Sequence, residues 1–561
     1  MTDFVLHPGL VLMLGALLIP FFSGWQRTVI QLALPLFALA LVWQIADGPV
    51  YQVHYLDHVL TPLQGDKLSR LFATIFALMA FGGGLFALRQ TSRLEVPAAY
   101  GYAGAAIGVA LAGDLITMFV FWEVMAIGST LVLWSHVSAS TEKAAYRYLM
   151  MHLLGGVILF AGIVGYINET GQVAFTGMQT DSVSTWLILA GILVNAGAPP
   201  FSAWLPDAYP EASWSGTVFL SAFTTKTAVY TLIRGFPGNE VLIWIGLFMV
   251  FYGIIYALLE NDMRRILAYS IINQVGFMVA GIGIGTELAL NGAAAHAFTH
   301  IIYKALLLMS AGSVLMMTGR RKCSELGGLF HTMPLTTVCA SIGALAISSF
   351  PLTSGFISKS MVSQAAADGH LFWVWLLMTA ASAGVFLHAG IKFPWFVFFQ
   401  KDSGLRPAEP PASMRWAMVF MAVLCIGLGV WPEPLYALLP YAVDYVPYTG
   451  SHVIAQLQLL LFSGLAFFVL LNFLKRTLTI TLDTDWLWRR LLPAIVSILT
   501  RITQSPLARL AQWQTRSRQH LLTGIHRLMS ADSALARTWS LAVMALCVLV
   551  LLFVELVLFG A

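Results

Sequence analysis

Charge is what this sequence has least of. Asp, Glu, Lys and Arg make up 10% of its 561 residues, against about 25% in a soluble domain, so a hydrated globular surface is excluded. A polytopic membrane protein follows. An excess of one sign is lacking too. The 30 basic and 26 acidic residues leave +4, too little to point to a nucleic-acid partner. Cysteine is scarce: Cys323, Cys339, Cys425 and Cys547 are scattered, without the paired spacings of a zinc site, an iron–sulfur cluster or a disulfide framework. No metal site and no cofactor is expected. Nucleotide-binding loops and haem-ligand patterns are missing as well, so the chain is not read as an enzyme, and any redox chemistry is left to partner subunits.

What is abundant is apolar sequence, 58% of the residues. A bilayer core needs about 20 apolar residues per helix. Spans are predicted near 4–22, 28–46, 68–88, 97–112, 114–135, 146–167, 185–205, 213–234, 241–259, 266–283, 289–318, 335–366, 371–399, 415–431, 455–475 and 539–559, about sixteen crossings of an all-α protein. The first follows an acidic start without a small-residue cleavage site and is read as a retained helix. Positive loops stay cytoplasmic. With the N-terminus outside, Arg27, Arg89, Arg93, Lys143, Arg147, Arg264, Arg265, Arg320, Arg321, Lys322, Lys401, Arg406 and Arg415 fall inside, and Asp47, Asp57, Glu169, Asp181, Glu433 and Asp444 outside. Lys67, Arg70 and Arg234 are exceptions. A bacterial inner membrane is the expected location.

Two spans contain breakers. Pro199-Pro200 lies in the seventh, and Pro351 with Gly355 interrupts the twelfth. Proline removes a backbone donor, and lipid tolerates the exposed polar backbone only where protein or a wet cavity covers it. A packing kink is the bland reading. An ion site is the sharper one, and two breaks five spans apart suggest an internal repeat. After 475 the chain changes character. Arg489, Arg490, Arg501, Arg509, Arg516, Arg518, Arg527 and Arg537 accompany a stripe of Leu491, Ile495, Ile498, Ile502, Leu507, Leu510, Leu521, Ile525 and Leu528. This predicts a basic amphipathic helix along the cytoplasmic membrane surface or against partner subunits, a lateral brace that re-enters the bilayer at 539–559.

An ionisable side chain in mid-span costs roughly 2.5–3.5 kcal/mol on insertion scales and is a functional candidate by default. Glu123 stands in FVFWEVMAIGST and Lys226 in SAFTTKTAVYTLI; His296, His300 and Lys304 share HAFTHIIYK. Steps of four put the last three on one helix face about 6 Å apart, within reach of relay by water. Lys359 adjoins the twelfth-span break, and Lys392 follows His388 in the thirteenth span. The competing readings are hydrogen-bonded packing for His152 in the sixth span and snorkelling for Lys392. Low dielectric disfavours the charged form of an acid or an amine, so a lateral row of such groups is suited to passing protons.

At these residues the sequence resembles a known family. PPFSAWLPDAYPEA followed by FTTKTAVY, with NDMRRILAYSIINQVGFM, HAFTHIIYKALLLMSAGSV and LTSGFISKS, is similar to the antiporter-like membrane subunits of respiratory complex I, membrane-bound hydrogenases and Mrp-type cation/proton antiporters. LTITLDTDWLWRR resembles the Mrp D-type branch. The likeness covers roughly 60–430 and implies a fourteen-helix core with two inverted five-helix repeats and broken seventh and twelfth helices. The division expected is 1–96 for N-terminal helices, 97–260 and 261–400 for the repeats, each a proton half-channel, and 401–475 for C-terminal core helices. The lateral helix takes 476–538 and the terminal span 539–561. The resemblance implies Glu123 as charge switch, Lys226 as relay near the inward side, His300 and Lys304 as central transfer, and Lys359 as exit-side donor; His296 and Lys392 join the relay on their positions in the spans alone. His152, Asn195 and Arg147 are auxiliary. One position departs: where the family has a lysine nine residues before the tryptophan of WLP, this chain has Asn195, so either Lys226 or a water-linked His152 serves Glu123, or the input half of the channel is weakened. The function implied is Na⁺ or other monovalent cation/proton antiport within a multisubunit Mrp-type complex, with small Mrp-type or related antiporter-like subunits as partners and no nucleic acid. The rivals are a non-conducting structural subunit, a complex I- or hydrogenase-like proton pump, and the membrane half of an inorganic-carbon uptake system.

Overall fold

The computed structural model describes residues 5–55, 57–472, 483–484, 486–529 and 540–559. Arg537, the side chains of Arg501, Arg509, Ile502, Leu507, Leu510 and Leu528, and residues 478–482 and 485 of the LTITLDTDWLWRR segment lie outside that description.

Within Met1–Thr484, one of two units of the chain, helices follow in series: α1 Pro8–Ala16, α2 Gly24–Val42, α3 Lys67–Phe86, α4 Glu95–Leu111, α5 Leu115–Trp134, α6 Ala139–Thr170 and α7 Val183–Ala196. Short α8 Trp204–Ala208 and α9 Gly216–Leu220 lead to α10 Thr224–Gly235, α11 Val241–Leu259, α12 Met263–Ile284 and α13 Glu287–Thr318. Then come α14 Pro334–Ile347, α15 Ser354–Asp368, α16 Phe372–Val385, α17 Ala412–Val430, α18 Glu433–Tyr436 and α19 Gly450–Val469. The other unit, Asp485–Ala561, contains α20 Leu492–Met529 and α21 Leu541–Phe559. The protein is an all-α polytopic membrane protein. Ten described helices are long and apolar enough to cross a bilayer, and α7 with Phe201–Glu211, bent by 41°, makes an eleventh. A helix or helix pair occupies every span expected from sequence.

Local chemistry sets the boundaries. Ser138, Ser182, Asp114, Asp262 and Thr286 accept backbone N–H bonds as N-caps, satisfying donors that the first turn leaves free. The most apolar stretch of α12 is entirely buried. It packs on α11 backbone to backbone: a Cβ on Gly276 would meet the Gly246 carbonyl at 2.6 Å, a closeness that only glycine permits.

Both expected breaks are present. α7 ends at Gly197 in the left-handed region (φ 77) just before the proline pair. Between α14 and α15, Ser349 and Leu352 take φ of 59 and 67, costly for residues with a Cβ. Gly355 belongs to the first turn of α15, where a Cβ would overlap the Ala346 carbonyl. Three features depart from the sequence reading. The eighth span is broken too: α9 stops at Leu220 and α10 starts at Thr224, without proline or glycine between them. In the thirteenth, α16 passes into wide π-type turns over Phe386–Lys392 and Trp395–Phe399, which recur at functional sites. An antiparallel hairpin, Gly48–Tyr55 paired with His58–Gly65, joins α2 to α3 where a plain loop was expected.

In the second unit, α20 has 38 residues, roughly 57 Å of helix at 1.5 Å per residue. Its sequence is arginine-rich, and Ile495, Ile498, Leu521 and Ile525 are exposed.

Candidate functional site

Of the ionisable groups singled out in the sequence, Lys226, Lys359 and Lys392 lie at helix ends or breaks, whereas Glu123, His152, His296, His300 and Lys304 lie in mid-helix. Glu123, on α5, is half-buried, between Val120 and Ile127, each 54% exposed. Its carboxylate lies against Gly156 of α6, where a Cβ would overlap Oε1, and Oε1 is buried without a hydrogen-bond partner. Neither Lys226 nor His152 pairs with it directly. His152, one turn before Gly156 on α6, is buried, and its Nδ1 lies 2.8 Å from Asn195 Oδ1. His152 Nε2 and Asn195 Nδ2 are buried without partners. Buried polar atoms of this kind are the setting in which a buried water is retained. Arg147 does something else: it clasps Asp207 through two bonds of 2.7 and 2.9 Å and so ties α6 to α8.

A hydroxyl-rich interior follows. The Tyr148 ring sits 4.1 Å from the His152 ring, with its hydroxyl unpartnered. Tyr102 OH lies 2.5 Å from Thr224 Oγ1 and accepts the Thr224 N–H at 2.8 Å, at the unpredicted α9–α10 break. Lys226, in the next turn, is fully buried, and its Nζ donates to the Ser221 carbonyl at 2.7 Å and to Thr225 Oγ1 at 3.1 Å.

On α13, the His296 and His300 rings are 6.2 Å apart. His296 bridges Ser358 Oγ and Gln274 Oε1, both at 3.1 Å, and Gln274 also accepts from Tyr303 OH at 3.2 Å. Both ring nitrogens of His300 are buried without partners. Lys304 Nζ donates to Ser270 Oγ at 2.9 Å and to the Leu267 carbonyl at 3.3 Å. Lys359 Nζ, at the α14–α15 break, donates to the Ile347 carbonyl at 3.3 Å and stands 4.6 Å above the Phe277 ring, a cation–π contact.

Lys392 occupies a different kind of place. Its Nζ meets the carbonyls of Ala257 at 3.2 Å, Leu258 at 2.5 Å and Glu260 at 2.6 Å, capping the C-terminal end of α11, where carbonyls lack intrahelical partners. His388 Nδ1 bonds the Gly384 carbonyl at 2.9 Å. Among the described residues, none of the four lysines 226, 304, 359 and 392 forms an ion pair with a carboxylate, and no group of His, Cys, Asp and Glu is arranged to hold a metal ion.

Sequence reasoning missed the connecting groups. Tyr102, Tyr148, Gln274, Tyr303 and Ser358 are unremarkable one by one; only Gln274, an amide in mid-span, carried a signal. It also missed Glu95, a fully buried carboxylate at the start of α4 bonded by Ser213 (2.7 Å), Ser215, Gln90 (2.9 Å) and Ser135 (3.1 Å). Beside it, buried Arg264 donates to the carbonyls of Pro210, Ala212 and Ser213 at 2.7–2.9 Å, closing the end of the broken seventh segment.

Residues 112–384 match the family model described as NADH:quinone oxidoreductase/Mrp antiporter, TM. The D-type subunit of the Na(+)/H(+) antiporter of Alkalihalophilus pseudofirmus is 30% identical over 477 residues, 78% of this chain and 95% of that one. The A/B-type subunit of a probable K(+)/H(+) antiporter of Rhizobium meliloti is 30% identical over 460 residues, 74% of this chain but only 46% of the longer relative. In structure the chain is similar to a chain of the Mrp complex from Dietzia sp. DQ12-45-1b, with a TM-score of 0.66 at 21% identity, covering 81% of this chain and 98% of that one. With these agreements the chain belongs to the NADH:quinone oxidoreductase/Mrp antiporter transmembrane family and is an antiporter-like subunit of that class of multisubunit membrane complex.

Proposed function

We propose that this subunit translocates protons through a buried Glu/Lys/His relay and that the complex exchanges them for a monovalent cation, Na⁺ first among them. The observation that carries the reading is the set of fully buried Lys226, His300 and Lys304, whose protons face only neutral oxygens or no partner at all. Ionisable groups inside a membrane are costly and mark ion pathways by default, and among the described residues Lys226 and Lys304 have no carboxylate to fix their charge. Glu123 is the charge switch at the perimeter, and ordered water at His152 and Asn195 joins it to the hydroxyls that lead to Lys226. His296, His300 and Lys304 make the central transfer, and Lys359 hands protons to the outer side. In this reading residues 97–260 and 261–400 are the two half-channels, the N-terminus is outside, and α20 runs along the cytoplasmic face. The names of the D-type and A/B-type relatives support Mrp-type partners and cation/proton exchange.

The test is transport by the intact complex in vesicles. Glu123→Gln and Lys226→Met each stop cation-coupled proton movement while the complex assembles. One observation favours a rival, a subunit that braces without conducting: Asn195 occupies the buried position beside His152 where the relay would gain from a charge. In that case both substitutions are silent, and deleting 476–561 disperses the complex.

A further inference from the structure

Lys359 marks where the row of buried groups meets a cavity. A pocket of about 440 Å³ lies among α15, α16 and α19, lined by Lys359, Ser360, Gln364, Ser382, His452 and Gln456, with further side chains. Phe356, Trp375, Leu459 and Phe462 line another part of it, so only its polar side suits water. His452, half-buried in the first turn of α19, faces it with a specific hydrogen-bond pattern. Its Nε2 lies 3.1 Å from Gln364 Oε1 and its Nδ1 3.3 Å from the Pro447 carbonyl. The Gln364 amide is oriented by its own donation to Asp368 Oδ1 at 2.7 Å, which leaves Oε1, an acceptor only, for the histidine. A peptide carbonyl is likewise only an acceptor. Both ring nitrogens therefore face acceptors, a pattern that the two N–H donors of an imidazolium complete and a neutral ring fills by half. The Tyr445 ring stacks on His452 at 5.9 Å. Lys359 and, through Gln364, Asp368 are the charged groups facing it from α15; α16 supplies the Trp375 ring and the hydroxyls of Thr379 and Ser382, none of them charged.

We propose that His452 is the outermost proton-exchange group of this chain: it takes the proton that Lys359 releases into the shared cavity and passes it to bulk water. The step is a proton transfer from ammonium to water and then to imidazole, followed by release from the imidazolium, with no change in oxidation state. The assignment rests on the relay reading above and names the group with which that relay ends. Gln364 is a positioning residue, holding the ring toward the cavity.

The experiment measures Na⁺ flux driven by a proton gradient, with the whole complex in vesicles at matched buffering. Flux in place of a pH dye avoids the buffering effect of added base. His452→Ala lowers the flux several-fold, and millimolar imidazole, small enough for the cavity, restores part of it without changing the unsubstituted complex. His452→Gln keeps a polar side chain in the site and loses flux with normal assembly, which separates the loss from misfolding. Full flux in His452→Gln while Lys359→Met is inactive overturns the role of His452 alone. A loss in His452→Ala that imidazole does not relieve, with Lys359→Met also inactive, overturns it equally. Full flux in both His452→Gln and Lys359→Met overturns the relay on which the proposal stands.

Discussion

Replacing Lys304 separates conduction from folding more cleanly than replacing any other relay residue. Its Nζ bonds Ser270 Oγ and the Leu267 carbonyl, both from the middle of α12, and no carboxylate pairs with it. Lys304→Met keeps the length and apolar stem of the side chain. It removes a charge whose burial costs roughly 2.5–3.5 kcal/mol and forfeits charged hydrogen bonds worth about 1.5–3 kcal/mol. The Leu267 carbonyl lies within α12, and the Ser270 hydroxyl is free to turn back on its own helix. The terms nearly cancel, so the melting temperature of the complex moves by a few degrees at most. Proton-coupled cation flux falls to the level of vesicles without the complex, because a thioether accepts no proton. Lys304→Arg is the sharper arm: it keeps the charge, but a guanidinium does not give up its proton, and flux falls as far. Wild-type flux in the Met variant refutes the reasoning; wild-type flux in the Arg variant alone shows that Lys304 supplies a field and not a proton.

The capping geometry of Lys392 predicts that Lys392→Met costs about 2 kcal/mol of stability and lowers flux only in proportion to the complex recovered; a larger fall in flux per assembled complex makes it a relay residue. Gly246→Val forces α11 and α12 apart where backbone meets backbone and costs about 3 kcal/mol, read as loss of the thermal transition or of assembled complex in detergent. At the hairpin end of α3, burial raises the Asp66 carboxyl, but the charge of Arg234 and hydrogen bonds from Ser69 outweigh it and hold the group below its ordinary value. A carboxyl depressed in the folded state adds stability that is present above the unfolded value near 3.9 and is lost as the pH falls through the folded one. Melting curves between pH 6 and about 3 therefore show a shallower acid slope in Asp66→Asn than in the unsubstituted protein.

The reach of the sequence depended on where each signal lived. Proline and glycine disclose a break through their own backbones, so α7 and the α14–α15 junction were visible in one dimension. The α9–α10 break was not, because Ser221-Ala222-Phe223 contains no breaker. It is held open by a tertiary bond from the Thr224 N–H to Tyr102 OH, spanning 122 residues, and by a local one from Lys226 to the Ser221 carbonyl. The hairpin was hidden by its position: its first strand is rich in Val and Tyr, but between two apolar spans the segment read as a connection. Ionisable candidates stood out because charge is rare in a bilayer. Their neutral partners did not, since a tyrosine, glutamine or serine in a membrane helix is common enough to need no explanation until the fold aims it at a histidine.

A regularity among the lysines explains why function and architecture are hard to separate here. Lys226 donates to Ser221 just past the end of α9, Lys359 to Ile347 at the end of α14, and Lys392 to three carbonyls at the end of α11. Each ammonium stands where a helix has run out of N–H donors, at the negative end of the helix dipole. Broken helices thus create the acceptors that let a lysine sit in a membrane interior without a carboxylate, and the lysine repays the exposed backbone. Such a site is bistable by construction: protonated, it caps the helix end; deprotonated, it leaves carbonyls that water must cover. In the proposed relay, a proton leaving Lys226 or Lys359 would uncover a helix end, which would couple conduction to the local shape of the broken helices. Lys304, which touches no helix end, would carry the proton in the proposed relay without that change, and for this reason its substitution isolates the relay from the scaffold.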